Sequence, residues 1–166
     1  MLLYLNIRYN RGMETKQVIV VRTQYPDGKG GTKKLRTGKL IAQAAHASMS
    51  FLTRRINARL NSVSYKDVDG EPIEYIVEGP LYANFCLTPE EEHWLDNSFK
   101  KICVYVNSEE ELLDIYNKAK EAGLEVHLVE DSGLTEFHGE KTNTCLAIGP
   151  HESSRIDVIT GHLPLY

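Results

Sequence analysis

Cysteine is scarce in this 166-residue chain: Cys86, Cys103 and Cys145 are all there is. They lie far apart, form no C-x-x-C pair and are too few for a disulfide framework. A reducing compartment, the cytoplasm, fits that usage. Long apolar runs are missing too. No run, Val18–Val21 among them, comes near the ~20 residues of a membrane span, so no membrane partner is expected. Residues 1–12 lack the apolar core and small-residue cleavage site of a secretory signal and read as a peripheral extension, with Met13 an alternative start. The chain has no internal repeat and no low-complexity tract.

Several catalytic signatures are absent as well. The six histidines show no H-x-x-x-H or H-E-x-x-H spacing, and no metal is indicated, although a zinc site built from distant residues stays open as the reading of an unrelated metal hydrolase. There is no G-x-S-x-G elbow, and no cysteine has a basic neighbour to support a thiolate, which argues against covalent catalysis. The glycine-rich stretch before Lys39 fails the P-loop spacing, because Lys33 stands five places before Gly38 and Leu40 follows Lys39. It also fails the dinucleotide fingerprint, with Lys33 where the third glycine belongs. No cofactor is expected.

What is present is ordinary in bulk: 42% hydrophobic and 25% charged residues, as in globular proteins, at a length that supports one domain with a real core. The net charge of −4 speaks mildly against a polyanion partner, but it is an average over two unlike parts. Residues 1–60 carry five lysines and seven arginines against Glu14 and Asp27 alone, a net +10. Residues 61–166 carry seven bases against 21 acids, a net −14. Such asymmetry points to polyanion contact by the basic part, with a solvated basic face as the plain alternative.

Val18–Val21 is a β-branched run of the kind buried on both faces of a sheet. A long loop from Tyr25 to Thr37 follows, then a helix from Gly38 whose apolar face is expected at Leu40, Ile41, Ala44, Ala45, Ser48 and Leu52. Residues 57–97 read as an insertion: a hairpin turning at Asp69-Gly70, then a short helix capped by Thr88 with Pro89 at its first position. Ile102–Val106, a helix capped by Ser108, and Val126–Val129 form a strand–helix–strand unit, expected as a parallel pair with a right-handed crossover. A strand over Thr144–Ile148 ends at Gly149-Pro150, and Ser153–Ile159 forms a last helix. The fold class is α/β: residues 13–166 as a single layered domain, a mixed sheet of about four strands with helices on both faces.

Within that frame a few polar residues stand out. Lys39 opens a helix, where a cation adds to the positive dipole end and so concentrates potential for an anion; a flexible surface lysine is the alternative. Asp131 follows an apolar strand directly, at the carboxyl end where open α/β sheets bind ligands; the alternative is an Asx turn. Glu130 is expected to point away, leaving Asp131 in the crevice. Thr135 and Thr144 lie near the same sheet end, and Gln43 and His46 share a helical face with Gln43 one turn after Lys39.

These residues resemble the signature blocks of the type 2 peptidyl-tRNA hydrolase family. The blocks are GKLIAQAAHA (38–47), DSGLTE (131–136), TCLAIGP (144–150) and TGHLPLY (160–166). They occur in the family's order and the likeness spans 17–56 and 98–166. The chain differs at Ser132 and Ile41, where the family usually has alanine, in the longer Tyr25–Thr37 loop and in the 57–97 insertion. The resemblance implies a compact α/β domain that hydrolyses the ester between a peptide and the 3′ end of tRNA, without metal or cofactor. It implies Lys39, Asp131 and Thr135 as catalytic residues, with Gln43, His46 and Thr144 in support. The basic loop residues Lys33, Lys34 and Arg36 would contact tRNA. Peptidyl-tRNA is the implied partner; a second copy of the chain and a protein held by the 57–97 insertion are further candidates. A non-catalytic RNA- or protein-binding module on the same fold is the alternative reading.

Overall fold

The computed structural model describes residues 12–61 and 86–166, the side chains of 57–61 excepted. The hairpin expected around Asp69-Gly70 and the extension before Met13 lie outside the described residues, apart from Gly12. Chain order is β1 (Thr15–Arg22), β2 (Tyr25–Pro26), β3 (Thr32–Lys33), α1 (Thr37–Asn61), α2 (Pro89–Asp96), β4 (Lys101–Val106), α3 (Glu109–Glu121), β5 (Val126–Asp131), β6 (Thr142–Glu152) and α4 (Ser153–Thr160). Four strands form one mixed sheet in the order β4-β1-β6-β5, while β2 and β3 make a small ladder inside the long loop. The α/β class with a four-stranded mixed sheet is as expected.

Alternation along β1 sorts the two faces. Val18 and Val20 pack with Leu112, Ile115 and Ala119 of α3 and with Ile156 and Ile159 of α4. Ile19 and Val21 pack with Ala47 of α1 and with Cys145 and Ala147 of β6. On that second face Trp94 of α2 is buried edge-on against Phe51 and donates its indole N–H to the Lys100 carbonyl at 2.7 Å. Helices α2 and α3 begin as their sequences dictate, with reciprocal capping boxes at Thr88/Glu91 and Ser108/Glu111.

Three expectations need correction. Ile102–Val106 and Val126–Val129 are not neighbours: β4 pairs with β1 and β5 with β6, so β1 and β6 lie between them. The connection through α3 crosses the sheet from one edge to the other. The last strand does not stop at Gly149-Pro150. A bulge opposite Lys16 and Val18 absorbs the irregularity, and pairing resumes at His151 and Glu152. Gly149 makes this possible at φ 82, where a Cβ would stand 2.7 Å from the His151 nitrogen. Finally, the buried stripe of α1 is rotated. Ile41 is 64% exposed and Ala45 is exposed, while Gln43, Ala47, Ser50 and Phe51 are buried alongside Ser48. Beyond the last helix, residues 164–166 run along the outer edge of β4, with Tyr105 N–H on the Pro164 carbonyl and Tyr166 N–H on the Cys103 carbonyl.

Candidate active site

β1 and β5 both run antiparallel to β6, so they end at one side of the sheet, where α1 begins. One helical turn separates Lys39 from Gln43, which places both on one face. Asp131, the last residue of β5, is 5% exposed and meets them both. Lys39 Nζ forms an ion pair with Asp131 Oδ2, and Gln43 Nε2 donates to the same oxygen at 2.6 Å. Gln43 is itself held from behind. Its Oε1 accepts from Thr144 Oγ1 at 3.2 Å, and that hydroxyl, fully buried on β6, lies 3.2 Å from the Val129 carbonyl. On the open side Lys39 Nζ donates to Thr135 Oγ1 at 3.2 Å, and Thr135 is exposed.

The loop after β5 is folded to make this meeting possible. Gly133 N–H donates to Asp131 Oδ1 at 2.9 Å. Gly133 has φ 80, and a Cβ there would stand 2.3 Å from the Glu140 carbonyl oxygen. Phe137 and Gly139 N–H groups both return to the Gly133 carbonyl. The loop therefore closes on Gly133 and presents Thr135 to Lys39. A register shift between Val129 and Glu130 turns Glu130 outward, where it pairs with Lys141 at 2.9 Å, and leaves Asp131 facing inward as expected.

Burial by itself pushes the Asp131 carboxyl up. The Lys39 hydrogen bond, the Gly133 N–H, the Lys39 charge and the Gln43 amide outweigh it and hold the group below the ordinary carboxylate value. Asp131 is therefore an anion at neutral pH, clamped by donors, with its ammonium partner reaching toward an exposed hydroxyl. The arrangement can orient a water and stabilise developing negative charge. The nearby Cys145 does not offer a thiolate: burial pushes its thiol up to about 12. Among the described residues no group of three or more His, Cys, Asp or Glu side chains could hold a metal ion.

The other expected residues fall around this centre or away from it. Lys33 Nζ donates to the Glu136 carbonyl at 2.7 Å above the Phe137 ring, and Arg36 pairs with the Glu136 carboxylate at 2.8 Å. Both hold the same loop that carries Thr135. Lys34 is exposed on the other flank of the α1 start. His46 is exposed, and the structure does not bring it to the Lys39–Asp131 network. The sequence reading missed Gly133, although the Asp131-Ser132-Gly133 order is itself the signal for an Asx turn.

The charge split also changes meaning. Lys16, Arg22, Arg36, Lys39 and Arg55 pair with Asp157, Glu109, Glu136, Asp131 and the Glu91/Glu125 pair. Much of the basic part is thus neutralised by the acidic part within the molecule.

Comparison with known proteins finds a family model and relatives over most of the chain. The family model described as peptidyl-tRNA hydrolase PTH2 matches residues 15–166. Similar curated proteins named peptidyl-tRNA hydrolase include that of Nanoarchaeum equitans, 45% identical over 91% of this chain and 98% of its own. That of Methanopyrus kandleri is 37% identical over 90% and 97%, and that of Methanocaldococcus jannaschii 35% identical over 90% and 98%.

Proposed function

We propose, for a chain that belongs to the peptidyl-tRNA hydrolase PTH2 family, that Lys39, Asp131 and Thr135 form the centre that cleaves the ester between a peptide and the 3′ end of its tRNA. The observation that carries this reading is the ammonium of Lys39 held between a buried carboxylate and an exposed hydroxyl. In this arrangement a water sits between Asp131 and Thr135 and attacks the ester carbonyl carbon. As the new C–O bond forms, the carbonyl electrons move onto oxygen, where Lys39 stabilises the charge. The water proton passes to Asp131, and collapse breaks the bond to the tRNA 3′-oxygen, which takes that proton. A carboxylate held below its ordinary range is a weak base, so orientation and charge contribute more than proton abstraction. Gln43 and Thr144 fix the carboxylate, and Lys33 and Arg36 fix the Thr135 loop.

On this reading residues 13–166 are one catalytic domain with an insertion at 57–97, working in the cytoplasm. A second copy of the chain, or a protein at the insertion, would be an added partner. Among the described residues no helix is long and apolar enough to cross a membrane. The test is release of the blocked amino acid from N-acetyl-aminoacyl-tRNA by wild type, Lys39→Ala and Asp131→Ala. Turnover by wild type with losses on the order of a hundredfold or more in both variants is expected. Binding of tRNA without turnover, or full activity in both variants, overturns the reading.

A further inference from the structure

The first turn of α1 has two flanks. Lys39 and Gln43 line one; on the other, Thr37 and Leu40 form the wall of an open pocket of about 440 Å³. That volume is in the range that holds a small ligand. The chemistry of its lining is specific. Tyr105 and Tyr166 meet edge to face, with ring centres 6.1 Å apart and planes at 85°, which makes an aromatic corner. Opposite stand two side-chain amides. Asn107 Oδ1 already accepts from Thr23 Oγ1 at 2.8 Å and from Gln24 Nε2 at 3.4 Å. The Asn107 amide nitrogen and the Gln24 amide oxygen have no hydrogen-bond partner among the described residues and so offer a donor and an acceptor at the pocket. Lys34 supplies a cation with no carboxylate partner among the described residues.

An aromatic corner, an amide donor and acceptor, and one cation match a nucleotide: a base to stack, a base edge to bond and a phosphate to neutralise. The aromatic corner and the Asn107 amide are held in place. The 164–166 tail hydrogen-bonds to the β4 edge at Tyr105 and at Cys103, and the Thr23–Asn107 bond holds the amide. We propose that this pocket receives the terminal adenosine of tRNA, so that its 3′-oxygen crosses the start of α1 toward Lys39. Gly38 leaves the crossing open, because a Cβ there would meet nothing within 4 Å. The inference rests on the function proposed above but names residues outside that centre: Tyr105, Tyr166, Asn107, Gln24 and Lys34.

The experiment is titration of the intact protein with adenosine 5′-monophosphate and with ribose 5-phosphate, by calorimetry, for wild type, Tyr166→Ala and Asn107→Ala. Both positions are exposed, and thermal midpoints confirm that the variants fold. Wild type is expected to bind the nucleotide about tenfold or more tighter than the sugar phosphate, and both variants to lose most of that difference, as stacking and edge contacts are removed. In turnover of N-acetyl-aminoacyl-tRNA the loss should fall on KM rather than kcat. Equal binding of the two probes, or variants that bind the nucleotide as wild type does, overturns the proposal. Nucleotide binding is read without catalysis, so this failure is distinct from an absence of hydrolysis.

Discussion

Helix α1 plants a basic side chain against carboxylates near each of its ends, and the two arrangements differ in what they leave over. Near the far end Arg55 grips Glu91 with two parallel bonds of 2.8 and 2.6 Å and also pairs with Glu125, whose other oxygen meets His127. Glu91 further accepts the Thr88 N–H of its own capping box. That cluster joins α1, α2 and the start of β5, and its bonds all run between protein groups. At the near end Lys39 meets a single carboxylate and then an exposed hydroxyl. Its network is saturated at the back, through Gln43 and Thr144, and open at the front. The same chemistry of cation and carboxylate thus acts as a fastening where it is closed and as a reactive centre where it is unfinished.

Exchanging the losses at the two ends is the strongest way to break this contrast. Asp131→Asn keeps the shape but removes the charge. It should lower kcat/KM on the order of a hundredfold or more, with a modest change in thermal midpoint. Arg55→Ala should do the reverse: the buried Glu91 loses its partner, which costs about 2–3 kcal/mol after allowance for the part-exposed arginine. That lowers the midpoint by roughly 2–4 °C per kcal/mol while kcat/KM stays within about twofold. Comparable activity losses in both would dissolve the distinction.

A smaller effect tests the back of the network. Thr144→Val keeps the volume but leaves Gln43 Oε1 without its donor, which should cost about 1–3 kcal/mol and loosen the carboxylate. A fall in kcat/KM of about tenfold is expected, measured with the same blocked substrate. Salt dependence sharpens the account of charge. With five bases of the first sixty residues tied to acids, polyanion contact among the described residues falls to Lys29, Lys33, Lys34 and Arg54, which pair with no carboxylate. Log kcat/KM against log salt should therefore slope at about −3. A slope steeper than about −6 would show that the internal pairs open on binding. The smallest effect is that of pH. Because the Asp131 carboxyl is held low in the folded protein, activity on the acid side should stay flat from neutral pH down to about 4–5 and fall only below the ordinary carboxylate value of ~3.9. The same group stabilises the fold above that value, and its contribution is lost as pH drops through the lowered one. An acid limb near pH 6 would assign the titrating base to another residue.

Features written into neighbouring residues were legible beforehand: the capping boxes at Thr88 and Ser108, the β-branched first strand, Asp131 at a strand end with Glu130 turned away. Those that depend on distant partners were not. The α1 stripe was misread because Gln43 is buried for hydrogen bonds to Asp131 and Thr144 rather than for apolar area, while Ile41 faces outward. Hydrophobic periodicity cannot register a polar side chain whose partners lie some ninety to a hundred residues away. The placing of β4 and β5 at opposite edges likewise follows from β1 and β6 filling the middle of the sheet, which neither edge strand encodes. The charge segregation was visible as a sum, but its meaning as internal pairing needed the fold.

One consequence follows from the run of residues 164–166 along β4. An outermost strand offers unpaired amides and carbonyls to any passing chain, and sheets left bare there grow into aggregates. The bonds from Tyr105 to Pro164 and from Tyr166 to Cys103, with the Val104–Leu165 bridge between them, occupy that side of β4. These last residues act as a guard rail: stripping them off would expose a template for intermolecular strand addition in a chain whose helices and core were otherwise intact.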